Sequence, residues 1–555
     1  MGPFGDIVWM CFPTWSDDPI FASLHLGPGS YRVAPQGPAV TGGHYEDGTL
    51  IFRSRWATCD GIAECDEALA RPPPKDGAIV LRRLRAMDHD VRFRIQLALA
   101  PRMRARRVSF RRISPEQLEG KVDGVHFRWS GVRNARAVGD LLELDLALRK
   151  GRTHDLVLEL STKPFTHALA TPEMLWARTR KSWKETLGTL HVSAGARDAR
   201  LSAAVLHGLT PDGGGLVAAA TTSLPERAQS GRSYDYRYTW IRDQCYAGLA
   251  ASASGLPSLL DRAVAFIVAR LHEDGAQLRP VYGARGKRVP VERDLPLPGY
   301  PGSVEVRRGN RARSQFQLDC FGEALLLLAE AARVDRLDAQ GWRAITACVA
   351  AIEKRWHEPD AGVWELSPNH YLHSWLVCVA GLRAVANCFP SRALRRRTLT
   401  LADHVLHHAT RFGLRSDGAW MRAVGDERSD AALLAPGFRG AFDRGDARTR
   451  ATIRAVEAEL MHDGFVFRFR PDLRPLGSGE GAFLLCQFWL VLAYLAQGRV
   501  KDAVHAFERG RGAVGAPGLF TEEFDVEQRQ NRGNLPQAFV HAAMLEAAAQ
   551  LSKRS

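Results

Sequence analysis

The sequence predicts a multidomain, mainly α protein: an N-terminal β-sandwich followed by an (α/α)6 toroid. Three features carry that prediction. Up to about residue 180, short β-branched and aromatic runs are separated by turn residues. Beyond it, twelve apolar segments recur at helical period, beginning near 196, 240, 257, 316, 339, 371, 391, 428, 447, 481, 500 and 536. The connections between these segments alternate between short and long.

In chain order, "GAIVLRRLRAMDHDVRFRIQLAL", "GVHFRWSG" and "LLELDLALRKGRTHDLVLEL" alternate as sandwich strands do, which defines a first domain over residues 1–180. "STKPFTHALATPEMLWARTRKSWKETLG" then carries the chain across, with 181–195 as a helical linker and 196–555 as the toroid. The connections after the second, fourth, sixth and tenth helices are short ("SGLP", "VDRLDAQ", "NCFPS", "AQGR"), whereas those after odd-numbered helices are long. In a ring of helix hairpins all connections of one parity lie at one end. Six long loops are therefore expected to converge on one mouth.

Composition narrows the class. With 45% hydrophobic and 25% charged residues the chain is an ordinary folded protein. The nine cysteines are scattered and lie mostly in apolar patterns, so buried free thiols are expected rather than disulfides, and no CxxC pair points to a metal. The start "MGPFGDIVWMCFPTW" lacks a basic segment and does not read as a signal peptide. The most apolar run, "FLLCQFWLVLAYLA", is too short to span a bilayer. A cytoplasmic protein with no membrane partner is expected. The net charge of +14 and the run "RMRARRVSFRR" (102–112) make the best case for a nucleic-acid partner. That run alternates like a strand, lies among β-rich segments and has no recognition motif beside it. A solvated sheet face and no nucleic-acid partner are expected.

The long loops carry the unusual chemistry. "SYDYRYTWIRDQCYAGL" (233–249) packs four aromatics into seven positions and then sets Arg242 beside Asp243. Aromatic faces cover the apolar face of a pyranose, and fixed Arg and Asp heads bind its vicinal hydroxyls, so this stretch reads as a sugar subsite with an ion pair left open for the ligand. The other loops, "LPGYPGSVEVRRGNRARSQFQLD", "DAGVWELSPNH", "SDGAWMRAVGDERSD", "GFVFRFRPDLRPLGSGEG" and "GLFTEEFDVEQRQNRGNLPQ", mix aromatics, Gly and charged groups in the same way.

Glycoside hydrolysis needs a carboxylic acid to protonate the leaving oxygen and a carboxylate on the opposite face. Glu365, after Trp364 in an apolar setting, suits the acid. Glu522 and Glu523 in "TEEFD" compete for the second role, since adjacent loop side chains point in different directions. Asp243, Asp417 and Asp430 also lie on mouth loops.

"DYRYTWIRD", "LPGYPGS" with "VRRGN" and "QLDCFGE", "GVWE", "EGAFLLCQFWLV" and "GNLPQAFVHAAML", in this order, resemble family 15 glycoside hydrolases, the glucoamylase and bacterial trehalase relatives. The opening "IVWMCFPTWSDDPIFASL" resembles the family's N-terminal segment, without the stretch that commonly precedes it. Either the start is expected to be trimmed or the first strands to be missing. The resemblance implies an inverting, exo-acting α-glucoside hydrolase that needs no cofactor or metal and releases β-glucose from the non-reducing end of α-linked gluco-oligosaccharides or disaccharides. It assigns Glu365 as general acid and Glu522 as general base. Tyr236, Trp240, Arg242, Asp243, Trp364 and Arg468 become substrate-binding residues. "YTW", where trehalase-like relatives carry aromatic-Cys-Trp, tilts the expectation toward oligosaccharide or disaccharide action, with trehalase as the alternative. A non-catalytic carbohydrate-binding protein on the same fold is the reading from another class. Retention of both Glu365 and Glu522 argues against it, and Glu522 also argues against a phosphorylase, which needs a phosphate site there. The expected partner is a small α-glucoside or oligosaccharide, and a homo-oligomer is compatible with the sequence.

Overall fold

The computed structural model describes residues 1–2, 4–104, 108–226, 233–301, 305–389, 391–470, 480–515 and 517–554. The chain forms two compact units. One comprises Met1–Gly188 with Asp294–Val306 and Ala516–Gly518; the other comprises Thr189–Arg293, Arg307–Gly515 and Leu519–Ser555.

The first unit is the expected sandwich. A five-stranded antiparallel sheet (in spatial order 6–7, 30–35, 91–98, 141–148, 136–138) and an eight-stranded one (109–114, 117–122, 125–130, 153–161, 77–86, 62–69, 52–58, 39–45) share one core. Strand Val91–Ala98 shows why: Val91, Phe93, Ile95 and Leu97 are buried while Arg92 and Arg94 are exposed, the period-2 pattern of a half-buried sheet. Polar groups also reach inside. Trp129 Nε1 donates to Tyr31 Oη across the two sheets at 3.0 Å, and the buried Arg82 pairs with Glu67 at 2.7 Å. The basic run is a strand only at its end: Arg102 and Met103 lie in the 3₁₀ turn Pro101–Met103, and 109–112 lie on the edge strand Ser109–Ser114, where Arg111 meets Glu119 at 3.1 Å and Arg112 donates to the carbonyls of Pro115, Val132 and Ala135. Residues 105–107 of the run lie outside the described residues. Helix α1 (Pro172–Leu187) ends this unit's main segment, capped by Thr171, whose side chain accepts from Met174 N.

Among the described residues the second unit has twelve helices, beginning close to where the sequence places them. They are α2 (Ala196–Gly208), α3 (Ile241–Ser254), α4 (Pro257–Asp274), α5 (Asp319–Arg333), α6 (Ala339–Arg355), α7 (Leu372–Ala386), α8 (Arg392–Phe412), α9 (Ala435–Phe438), α10 (Ala447–Leu460), α11 (Leu484–Ala496), α12 (Val500–Arg511) and α13 (Ala538–Ser552). The eighth, expected to begin near 428, starts as the 3₁₀ turn Ala431–Leu434 and gives only one turn of α-helix; Asp430 caps the turn by accepting from Ala432 N. Helices α3, α5, α7, α9, α11 and α13 each touch the next, and α13 returns to α3, so they close an inner ring. The remaining helices pack outside it. Composition matches place: α7 is buried on every side from Leu372 to Leu382, whereas α8 buries only the stripe Thr398, Leu401, Ala402, Val405 and Ala409.

Every long connection leads into the N-terminus of an inner helix. There α3, α5, α7 and α11 begin after Trp240, Leu318, Tyr371 and Phe483, whose side chains make no capping bond. Loop carbonyls take the first N–H of three of them, Ile241 N donating to Pro280 O, Leu372 N to Arg422 O and Leu484 N to Glu522 O.

The inner ring closes tightly because backbones touch. A Cβ on Gly322 of α5 would lie 2.6 Å from the carbonyl carbon of Val377, and one on Gly381 of α7 would lie 2.5 Å from the Gly322 carbonyl oxygen. Gly322→Ala is expected to destabilise by about 1–3 kcal/mol through forced separation of α5 and α7. Urea unfolding should show a lower midpoint at an unchanged slope; an unchanged midpoint would mean that the helices separate freely.

Candidate active site

The stretch 234–240 runs extended into α3, and its side chains take different directions along it. Tyr234, Tyr236 and Trp240 face a cavity of about 330 Å³, whereas Asp235 and Arg237 turn inward as a buried pair at 2.8 Å. Tyr234 and Tyr236 lie parallel with centroids 6.4 Å apart, and Tyr236 meets Trp240 edge-on at 5.7 Å. This is the aromatic wall that the sequence suggests.

The cavity gathers residues from five of the six long loops. They include Arg242 and Asp243 at the start of α3, Asn310 and Gln315 before α5, Val363, Trp364 and Glu365 before α7, Arg468 and Phe483 before α11, and Glu522 and Gln537 before α13. The sixth loop does not line it. It supplies Asp430, whose carboxylate accepts from Trp364 Nε1 at 2.8 Å from behind the wall. Asp417 is elsewhere, half exposed beside Arg415. Part of the α10–α11 loop, 471–479, lies outside the described residues, as do 302–304 of the loop before α5.

Glu365 sits on a tight turn with φ at +58°, an uncommon backbone for a non-glycine residue. Its surroundings hold it there. Leu366 N donates to Ala361 O at 2.9 Å, and the Asp360 carboxylate accepts from Leu318 N, Gly362 N and Ser374 Oγ at 2.9–3.1 Å. Gly362 is required at φ +64°, where a Cβ would strike the Tyr371 ring at 2.7 Å. Trp240 Nε1 donates to Glu365 Oε1 at 2.6 Å. Burial raises the Glu365 carboxyl above its ordinary range, opposed by Arg242 and the Trp240 hydrogen bond.

Glu522 lines the same cavity from the loop before α13 and accepts from Tyr236 Oη at 2.8 Å. Burial pushes its carboxyl well up, Glu226 adds to this, and Arg468 opposes it. The pair 522–523 divides as adjacent side chains should. Glu523 begins the strand Glu523–Asp525 and turns away from the cavity, accepting from Gly481 N at 2.9 Å with Arg468 at 3.7 Å. Neither is solvated, because both lie in the packed interior of the mouth. Arg468 also pairs with Glu480 and stacks over Phe483 at 4.2 Å.

The expected Arg242–Asp243 ion pair does not form. Arg242 Nη1 instead donates to Asp319 Oδ2 and to Gln317 Oε1, both at 3.0 Å, so its partner comes from the neighbouring helix α5. The two residues are also more enclosed than an open pair would be, with exposures of 5% and 4%. Consecutive residues on a helix diverge by about 100°, which brings Arg242 to α5 and leaves Asp243 to the cavity. Burial raises Asp243 to about 7, with Arg242 opposing.

With this geometry in hand, comparison with known proteins is specific. A model of glycosyl hydrolases family 15 matches residues 202–549. The chain belongs to this family. It is a glycoside hydrolase. A trehalase of Mycolicibacterium smegmatis is 29% identical over 98% of this chain and 87% of that protein, and a trehalase of Mycobacterium tuberculosis is 29% identical over 99% and 86%. A crystal structure of a bacterial glucoamylase complexed with acarbose superposes with a TM-score of 0.74 at 13% identity, covering 99% of this chain and 91% of that one. At that identity the likeness is one of fold.

Sequence reasoning about this glycosidase missed Glu226, Glu292, Asn310 and Arg311 as cavity residues and Asp319 as the partner of Arg242. "VRRGN" and "QLD" were visible signals for two of these, Asn310 and Asp319. Glu226 had none, because its place depends on a hydrogen-bonded seam to a loop about 300 residues on.

The pairing predicts which acidic residue supports the fold. Asp319→Ala strands the buried Arg242 cation and should cost about 3–5 kcal/mol. Asp243→Asn removes no ion pair from Arg242 and should cost far less in stability while damaging kcat/KM. Urea unfolding and kinetics on both variants check this; a larger stability loss in Asp243→Asn would contradict the assignment.

Proposed function

We propose that this protein is an inverting α-glucoside hydrolase whose second unit carries catalysis, with Glu365 as general acid and Glu522 as general base. The observation that supports this best is the placement of these two carboxylates on separate loops of one cavity, each bonded to an aromatic donor from the same 236–240 stretch. Glu365 gives its proton to the glycosidic oxygen as the bond from C1 to that oxygen breaks. Glu522 takes a proton from a water whose oxygen forms the new bond to C1 from the opposite face. Arg242 and Asp243 hold hydroxyls of the terminal glucose, while Tyr236, Trp240 and Trp364 enclose its ring and Arg468 supplies positive charge beside the base. Burial favours the protonated form of Glu365 that an acid requires. No step calls for a metal or cofactor.

Two readings of the second sugar are each favoured by an observation. "YTW" favours oligosaccharides or disaccharides such as maltose and isomaltose. The full-length likeness to two proteins named trehalase favours α,α-trehalose. Glucose release from maltose, isomaltose, kojibiose, nigerose, trehalose and starch decides between them, and failure on all six would sink both.

Stereochemistry tests the chemistry directly. Inversion at one of the two anomeric carbons of trehalose yields equal amounts of β- and α-glucose at first, whereas a retaining enzyme yields α-glucose alone. Proton NMR of early products distinguishes them. Glu365→Gln and Glu522→Gln should each lose about 10²- to 10⁴-fold in kcat with the fold intact, because an amide serves neither as acid nor as base. Glu523→Gln should keep most of its turnover; equal loss there would move the base to the neighbouring residue.

A further inference from the structure

One more carboxylate faces the cavity. Glu226, 6% exposed, lines it together with Glu522 and Tyr236. Its segment is sewn onto the loop that carries Glu522. Asn534 Oδ1 accepts from Thr221 Oγ1 at 2.9 Å and from Leu224 N at 3.3 Å, Leu535 N donates to Thr221 Oγ1 at 3.0 Å, and Gly533 N donates to Pro225 O at 3.0 Å. Gly533 lies between the two glutamates. The position a Cβ would take there is 3.8 Å from Glu226 Cγ and 3.8 Å from Glu522 Cβ. Two side chains far apart in sequence thus share one patch of wall.

We infer that Glu226 is a positioning residue that acts through Glu522, setting the pH at which the general base becomes ionised and hence the acid limit of the reaction. This rests on the assignment of Glu522 as base. Two carboxylates facing one low-dielectric cavity hinder each other's ionisation. Among the described residues, the other groups that act on Glu522 are the Arg468 cation, which favours its ionised form, Glu523, which disfavours it, and the Tyr236 hydroxyl, which donates to it. Glu365 also acts on Tyr236. Of the acidic neighbours, Glu226 has the larger effect. The sign follows: a like charge raises the pKa of the base, so removing it lets Glu522 ionise at lower pH.

The test is the pH profile of kcat/KM for Glu226→Gln in the full chain. The acidic limb should move down by about one pH unit, a tenfold gain relative to the parent at a pH on that limb. The basic limb should stay in place. Glu226→Asp, which withdraws the carboxylate by one methylene, should move the acidic limb in the same direction by less, and it carries the test alone if Glu226→Gln does not fold. An unmoved acidic limb in a folded variant, or an equal shift in both variants, overturns the inference. Failure of the underlying assignment looks different: Glu522→Gln would then keep near-parent kcat/KM, whereas an inactive Glu522→Gln beside an unmoved Glu226→Gln profile defeats only the role of Glu226.

Discussion

The second unit depends on holding several carboxylates where little water reaches them. Asp243, Glu365, Glu522 and Glu226 face one cavity, Asp319 and Glu523 lie directly behind it, and burial raises Asp243, Glu365 and Glu522. An unpaired buried charge is costly, so such a gathering persists only with compensation. Closure of the inner ring supplies part of it. Helices α3 and α11 begin at the cavity, and Arg242 and Arg468 each contact buried acids there. The compensation is incomplete, and that suits the proposed chemistry. A fully neutralised Glu365 would release its proton too readily to act as an acid.

The same economy explains the aromatic stretch. Residues 234 to 240 fill the wall with rings, yet Tyr236 and Trp240 also donate to one carboxylate each, Glu522 and Glu365. Both bonds favour the ionised forms, against the effect of burial. One short extended segment therefore holds both the rings and the two carboxylates to which the proposed function assigns the sugar and the chemistry. Moving either ring moves a carboxylate as well.

Much of this was legible from the sequence, for identifiable reasons. Helix positions followed from apolar period. The shared mouth followed from loop parity, because hairpin geometry forces connections of one parity to one end. Glu365 and Glu522 stood out through loop composition and family resemblance. Pairings across helices were not legible. Arg242 and Asp243 are adjacent in sequence, and nothing local shows that helical rotation sends one to Asp319 and the other to the cavity. The α8–α9 loop looked like the rest but works through Trp364, and its helix shrank to one turn after the Asp430 cap. Glu226 was hidden because Asn534, from the far end of the chain, decides where it sits.

The parts of the cavity also differ in how firmly they are held. Arg242, Asp243 and the residues around Glu365 stand on helix starts or on turns tied by buried hydrogen bonds, so the groups proposed for the first sugar have little freedom. Glu292 and Arg311 line the same cavity from the loop before α5, where Arg311 meets Glu292 at 3.3 Å with 71% of its side chain exposed. An ion pair that open contributes little to stability and is readily exchanged for contacts with a ligand. On the proposed reading, recognition of the second sugar falls to such residues, because loop positions tolerate change that helix starts do not. Relatives that share the chemistry at C1 can then differ in the aglycone they accept.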